Sequence, residues 1–132
     1  MSLHIDQADI RRRVDALRAL LAQHDLDAVL ISQPESRYYL SGYAGTDLPP
    51  RDSAGYLLLT PDKMQLLTDM RTTQQAEQEA PSYEVIQYPT GTRPMEQVAK
   101  LAQQHGLKRL AFEAIHLPYQ FYTDLRAALD PA

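Results

Sequence analysis

The chain has no cysteine, so any chemistry it does must come from histidines, carboxylates, hydroxyls, lysines and arginines. Its four histidines, His4, His24, His105 and His116, are scattered. No two lie within helical reach, and none stands in the H-E-x-x-H spacing that sets two imidazoles on one helix face. A two-metal hydrolase needs several carboxylates and imidazoles converging on ions about 3.5–4 Å apart. Without such partners no histidine reads as a ligand. His24 and His105 each follow a helical run, where an imidazolium suits the helix dipole. His116 falls in a strand-to-helix turn before Pro118. A serine nucleophile needs a base, an orienting acid and a setting such as the strained G-x-S-x-G elbow. Ser32, Ser36, Ser41, Ser53 and Ser82 show none of these, and Ser36 reads as a helix cap. The carboxylate pairs Asp25/Asp27 and Glu77/Glu79 are spaced i, i+2, which points them apart on a helix, so they read as surface charge. The glycines are dispersed and form no phosphate cradle. No catalytic or metal-ligating residue is assigned to this chain.

Binding candidates remain. Tyr38, Tyr39 and Tyr43 crowd one short segment. Tyr39 and Leu40 are expected to pack on a sheet, since Tyr buries well when its hydroxyl finds a partner. Tyr43, beside Gly42 at the head of a long loop, is the better contact. That loop, residues 44–53, holds Gly45, Asp47, Pro49, Pro50 and Asp52 and is longer than most connections. Asp47 and Arg51 are its polar contacts, and a guanidinium at Arg51 can fork onto a peptide carboxylate. Arg71 is expected to bond strand carbonyls or pair with Asp69.

The elements that must position these residues follow from periodicity. Ile10, Val14, Leu17 and Leu21 fall on one helical face, capped by Asp6 or Asp9, with the Arg11–Arg13 run on the solvated side. The unbroken apolar run 28–31 predicts a strand buried on both faces. Pro34 opens and Gly42 closes a short helix. Residues 55–60 and 64–68 predict an antiparallel hairpin around Pro61-Asp62. A polar helix over 70–80 follows, capped by Asp69 or a nearby Thr and stopped by Pro81. Then come a strand over 83–88, a helix from Met95 to His105 capped by Gly106, a buried strand at Leu110, Ala111 and Phe112, and a last helix opened by Pro118. Leu30, Leu58 and Phe112 are expected in the central core. The order αβαββαβαβα predicts one α/β domain, three-layer-like, with a mixed five-stranded sheet flanked by helices.

Composition agrees. The 132 residues suit a single domain, at 44% hydrophobic and 23% charged. The net charge of −4 argues against a phosphate-binding face for nucleic acid. No apolar run approaches the ~18 residues of a membrane span, and the N-terminus lacks the basic and apolar regions of a signal peptide. The absence of cysteine fits a cytoplasmic setting.

The segment PESRYYLSGY (34–43) resembles the P-x-N-x-x-Y-L-T-G-F element of the creatinase/prolidase N-terminal domain. Thr68-Asp69-Met70-Arg71, followed by Gln75-Ala76, resembles that family's T-D-x-R-Y-x-x-Q-A. DAVLIS and RLAFE fall in the matching order. Ser36 stands where the family usually has Asn, Ser41 where it has Thr, and Thr72 where Tyr is common. The resemblance implies a ribonuclease H-like fold, in which Tyr39, Gly42, Asp69 and Arg71 belong to the structural motif and Tyr43 lies toward the substrate mouth. It also implies a parent protein that is an Xaa-Pro dipeptidase, an aminopeptidase P or a related creatinase. There the chemistry belongs to a separate pita-bread domain, whose Asp, His and Glu side chains hold two divalent metals (manganese, cobalt or zinc). The N-terminal domain shapes the mouth and the homodimer. On this reading residues 1–132 are one non-catalytic domain and the catalytic half is absent from the chain. The alternative is a free-standing interaction module of the same fold, and a reading of the gene beyond Ala132 separates the two.

Overall fold

Asp6 begins the first element by accepting a hydrogen bond from Ala8 N (3.0 Å), the N-cap that frees a helix from an orphan donor. The computed structural model describes residues 5–48 and 53–129. Helix α1 (Gln7–Gln23) buries Ile10, Val14 and Leu21. Strand β1 (Ala28–Ile31) is buried throughout. Helix α2 (Pro34–Ser41) starts on Pro34 and ends at Gly42, whose φ of 83° is left-handed. A Cβ there would stand 3.0 Å from the Glu79 carbonyl oxygen, so glycine is required twice over. Strands β2 (Tyr56–Leu59) and β3 (Met64–Thr68) form the hairpin, closed by Thr60 N to Lys63 O (3.1 Å) and Lys63 N to Thr60 Oγ1 (2.9 Å). Helix α3 (Thr73–Glu79), strand β4 (Glu84–Gln87), helix α4 (Pro94–Gln104), strand β5 (Leu110–Phe112) and helix α5 (Tyr119–Leu129) complete the described chain.

The sheet order is β4-β3-β2-β1-β5. β2 runs antiparallel to both neighbours, while β1–β5 and β3–β4 are parallel. Four strands therefore point one way, and their carboxyl ends meet the start of β2. Alternation divides the side chains between two cores. Val29, Ile31, Leu57, Leu59 and Leu66 pack with Ile10 and Val14 of α1. Leu30, Leu58 and Leu67 pack with Met95 and Val98 of α4 and Leu125 of α5. Leu30 and Leu58 are fully buried, as their strand runs require.

The β1–β5 pair is fastened at both ends by carboxylates. Asp27 Oδ2 accepts from Lys108 N (2.7 Å) and Arg109 N (3.0 Å). These amides hold the Asp27 carboxyl below its usual pKa. Glu113 Oε1 accepts from Ser32 N and Gln33 N, both at 2.8 Å.

Four expectations need correction. Phe112 is not in the central core: β5 is the sheet edge, and the residue is 36% exposed. Tyr39 does not pack on the sheet; it is 55% exposed, and the Arg13 guanidinium lies 4.3 Å from its ring centre. Ser36 is not the cap of α2, because Gln33 holds that position and the Ser36 hydroxyl donates to Gln33 Oε1 (3.2 Å). Helix α3 starts at Thr73 rather than Met70, and neither Asp69 nor Thr72 caps it with a side chain. The Asp69 carboxylate instead accepts from Arg71 N (2.9 Å), closing a turn.

Candidate functional site

In open α/β sheets, ligands gather outside the carboxyl ends of the parallel strands. Here that rim collects Ser32 after β1, Asp69 and Arg71 after β3, Tyr88 after β4, and Glu113 and His116 after β5. Two arginine–aspartate constellations dominate it.

The first is inside. Residues 37, 40 and 41 form the inward stripe of α2, so Arg37 is fully buried beside Leu40 and Ser41. Its Nη1 donates to Gly55 O (2.8 Å), and its Nη2 donates to Gly45 O (2.9 Å) and Asp47 Oδ1 (3.0 Å). Nε has no partner among the described residues. Asp47 Oδ1 also accepts from Ala54 N (2.7 Å). The Tyr43 ring lies 5.3 Å from the guanidinium, and its hydroxyl donates to Ala54 O (2.8 Å), an oxygen that also accepts from Thr68 Oγ1 (2.8 Å). A Cβ on Gly45 would come within 2.4 Å of the Tyr43 ring. Arg37 thus ties both stems of the long loop to the scaffold.

The second is at the surface. Arg71 Nη2 donates to Asp69 Oδ2 (2.7 Å) and its Nε lies 3.1–3.2 Å from both carboxylate oxygens, a forked pair. The Arg71 hydrogen bonds pull the Asp69 carboxyl below its usual pKa, against partial burial that raises it. The pair borders a cleft of about 330 Å³ walled by Tyr56, Tyr88 and Phe121, with Ser53 at its edge. Burial pushes the Tyr56 phenol well above its ordinary pKa, so it stays neutral.

The loop candidates take definite places. Tyr43 is not the exposed contact its position suggested but a fully buried anchor, because its ring packs beside the Arg37 guanidinium and its hydroxyl bonds Ala54 O; Asp47 is engaged by Arg37 and Ala54. Arg51 lies outside the described residues. Gly42 caps α2, and Arg71 pairs with Asp69 as one of the two expectations held. Arg37 is the residue that type-based reading missed; its spacing from Leu40 and Ser41 was the available signal. A second omission is the contact of Ser32 Oγ with His116 Nδ1 (3.0 Å), across 84 residues. Ser32 is buried, and Glu113 bonds its backbone rather than the imidazole, so these three do not form a nucleophilic relay. His105 Nε2 lies 2.9 Å from Gln65 Oε1. Among the described residues no three His, Asp or Glu side chains converge to hold a metal ion, so they do not fit a two-metal centre.

The fold and its rim define a creatinase-type amino-terminal domain. The chain belongs to the Creatinase/Prolidase N-terminal domain family, which matches residues 13–132. It is 29% identical over 120 residues to the uncharacterized peptidase YqhT of Bacillus subtilis (strain 168), covering 91% of this chain and 31% of that protein. It superposes on the Xaa-Pro dipeptidase from Bacillus anthracis with a TM-score of 0.80 and 28% identity, covering 92% of this chain and 32% of that one. The N-terminal domain of the cytoplasmic peptidase PepQ from Mycobacterium tuberculosis H37Rv gives a TM-score of 0.77 at 32% identity, with 91% and 86% covered. The chain spans about a third of the length of its full-length peptidase relatives. Among the described residues no helix is long and apolar enough to cross a membrane.

Proposed function

We propose that this chain serves as the non-catalytic N-terminal domain of an Xaa-Pro dipeptidase or aminopeptidase P. The observation that carries the reading is its superposition on nine-tenths of its own length but only a third of the Bacillus anthracis enzyme. The remaining two-thirds of such a protein supply the pita-bread domain with its two divalent metals, manganese, cobalt or zinc. The domain's work is to shape the active-site mouth and to contribute to a homodimer in the cytoplasm, as the relative named a cytoplasmic peptidase suggests. Within the mouth, Tyr43 and Asp47 act through the loop they anchor, and Arg51 is the substrate contact.

The test is Xaa-Pro hydrolysis by the pure chain with manganese, cobalt or zinc added. No turnover is expected, because the described residues offer no convergent ligands. Turnover abolished by changing one of the chain's own histidines would overturn the reading.

A further inference from the structure

The cleft beside Asp69 and Arg71 brings an aromatic wall and a fixed ion pair to one opening. It lies where the parallel strands β3 and β4 end and β2 begins. Tyr56 and Tyr88 are buried beneath it, and the Phe121 ring stands 6.5 Å from that of Tyr56 with the planes inclined at 54°. Rings tilted in this way make an apolar corner rather than a flat floor. Among the described lining residues the charged ones are Asp69 and Arg71, held side by side at 2.7 Å by a short turn. The lining also includes Gly91, where a Cβ would meet nothing within 4 Å. A volume of about 330 Å³ stands at the small end of ligand sites, which run from ~300 to ~1,000 Å³.

Each part selects a ligand. A phosphate or nucleotide would bring net negative charge to a lining whose own charges cancel. A wholly apolar ligand would strip water from the ion pair and return nothing. A fixed pair of opposite charges is complemented by a second pair in reverse order. A free α-amino acid carries such a pair on one carbon. We propose that the cleft binds a free α-amino acid with an apolar side chain: its carboxylate against the Arg71 guanidinium, its ammonium against the Asp69 carboxylate, and its side chain in the corner of Tyr56 and Phe121. Asp69 has room for the ammonium. Arg71 N, Nε and Nη2 reach it, and a carboxylate offers about four lone-pair sites. The fork has already fixed the guanidinium plane, so the ligand orders little more of that side chain. A dipeptide fits less well, because an added residue moves its two charges apart by about 3.3–3.6 Å. On the peptidase reading this ligand class is a product of cleavage rather than its substrate.

The test is a proton–nitrogen correlation NMR titration of the chain itself, so its failure is separate from failure of the peptidase reading. L-Phenylalanine and L-proline are expected to shift the amides of Arg71, Gly91 and Thr92 with a Kd of about 1 mM, as suits so small a ligand. L-Phenylalaninamide, N-acetyl-L-phenylalanine and glycine each lack one of the three contacts and are expected to bind about tenfold more weakly, as is the dipeptide alanylproline. Arg71→Ala and Phe121→Ala are each expected to weaken binding about tenfold or more with circular dichroism unchanged. The proposal is overturned if neither amino acid moves those amides up to about 50 mM. It is equally overturned if the analogues lacking one charge bind as well as L-phenylalanine, or if Arg71→Ala titrates like the parent chain.

Discussion

Two arginine–aspartate pairs sit on the same rim of the sheet, and they are opposites. Arg37 and Asp47 meet at 3.0 Å with the arginine wholly buried; Arg71 and Asp69 meet at 2.7 Å with the arginine side chain 60% exposed. The shorter contact is the weaker one in stability terms. An exposed pair trades water for protein at little gain and loses side-chain entropy. A buried pair has already given up its water, so removing one partner strands the other charge in a poor solvent. Burial also changes the role. Arg37 reaches Gly45, Asp47 and Gly55, three points on the two stems of one loop, so it determines a conformation. Arg71 folds back on a residue two positions away and borders a cleft.

The comparison breaks most visibly at Arg37. Arg37→Ala is expected to cost about 3–5 kcal/mol, because Asp47 and two carbonyls lose their donor inside the domain. Urea unfolding measures it, and a loss under about 1 kcal/mol would erase the distinction between the pairs. Next is Gly45→Ala. The new methyl meets a Tyr43 ring that is itself packed on all sides, and about 1–3 kcal/mol is expected from the overpacking. The smallest effect belongs to Arg71→Ala, below about 1 kcal/mol at neutral pH. Its sign with pH is definite. The folded carboxyl of Asp69 titrates below its unfolded value, so the stabilisation is present above the ordinary carboxylate range. It is lost as pH falls through the depressed folded value. Arg71→Ala should move the Asp69 titration upward toward the ordinary range, as followed by carboxyl carbon NMR, and weaken that acid dependence, the part due to the Arg71 backbone amide remaining.

The same contrast explains which features the amino-acid sequence makes legible. All ten elements and the hairpin were legible, because apolar periodicity and Pro or Gly punctuation are local signals. The inward face of α2 was not. Residue type puts tyrosine in and arginine out, yet Arg37 is buried and Tyr39 exposed. The acceptors that reverse the preference, Gly45, Asp47 and Gly55, lie on a loop whose path leaves no period in the sequence. Phe112 failed for a related reason. Leu110-Ala111-Phe112 is an apolar run like that of β1, but strand order is a nonlocal property and put it at the edge. Tyr43, read from the sequence as a contact at the loop's head, is instead fully buried with its hydroxyl on Ala54 O, because the stem at Ala54 packs against it.

The carboxylates at either end of the β1–β5 pair carry a consequence in time. Leu110 and Val29 belong to neighbouring strands but lie about 80 residues apart, and loop closure over such a span delays a contact. The antiparallel run β1-β2-β3 can assemble from nearer segments, leaving β5 to arrive late. When it does, Asp27 takes two amides at its entry and Glu113 takes two amides at the exit of β1. A three-residue strand is thereby held like a bolt shot at both ends. Amide exchange in β5 then reports the release of those two carboxylates, a local opening that leaves the central strands protected.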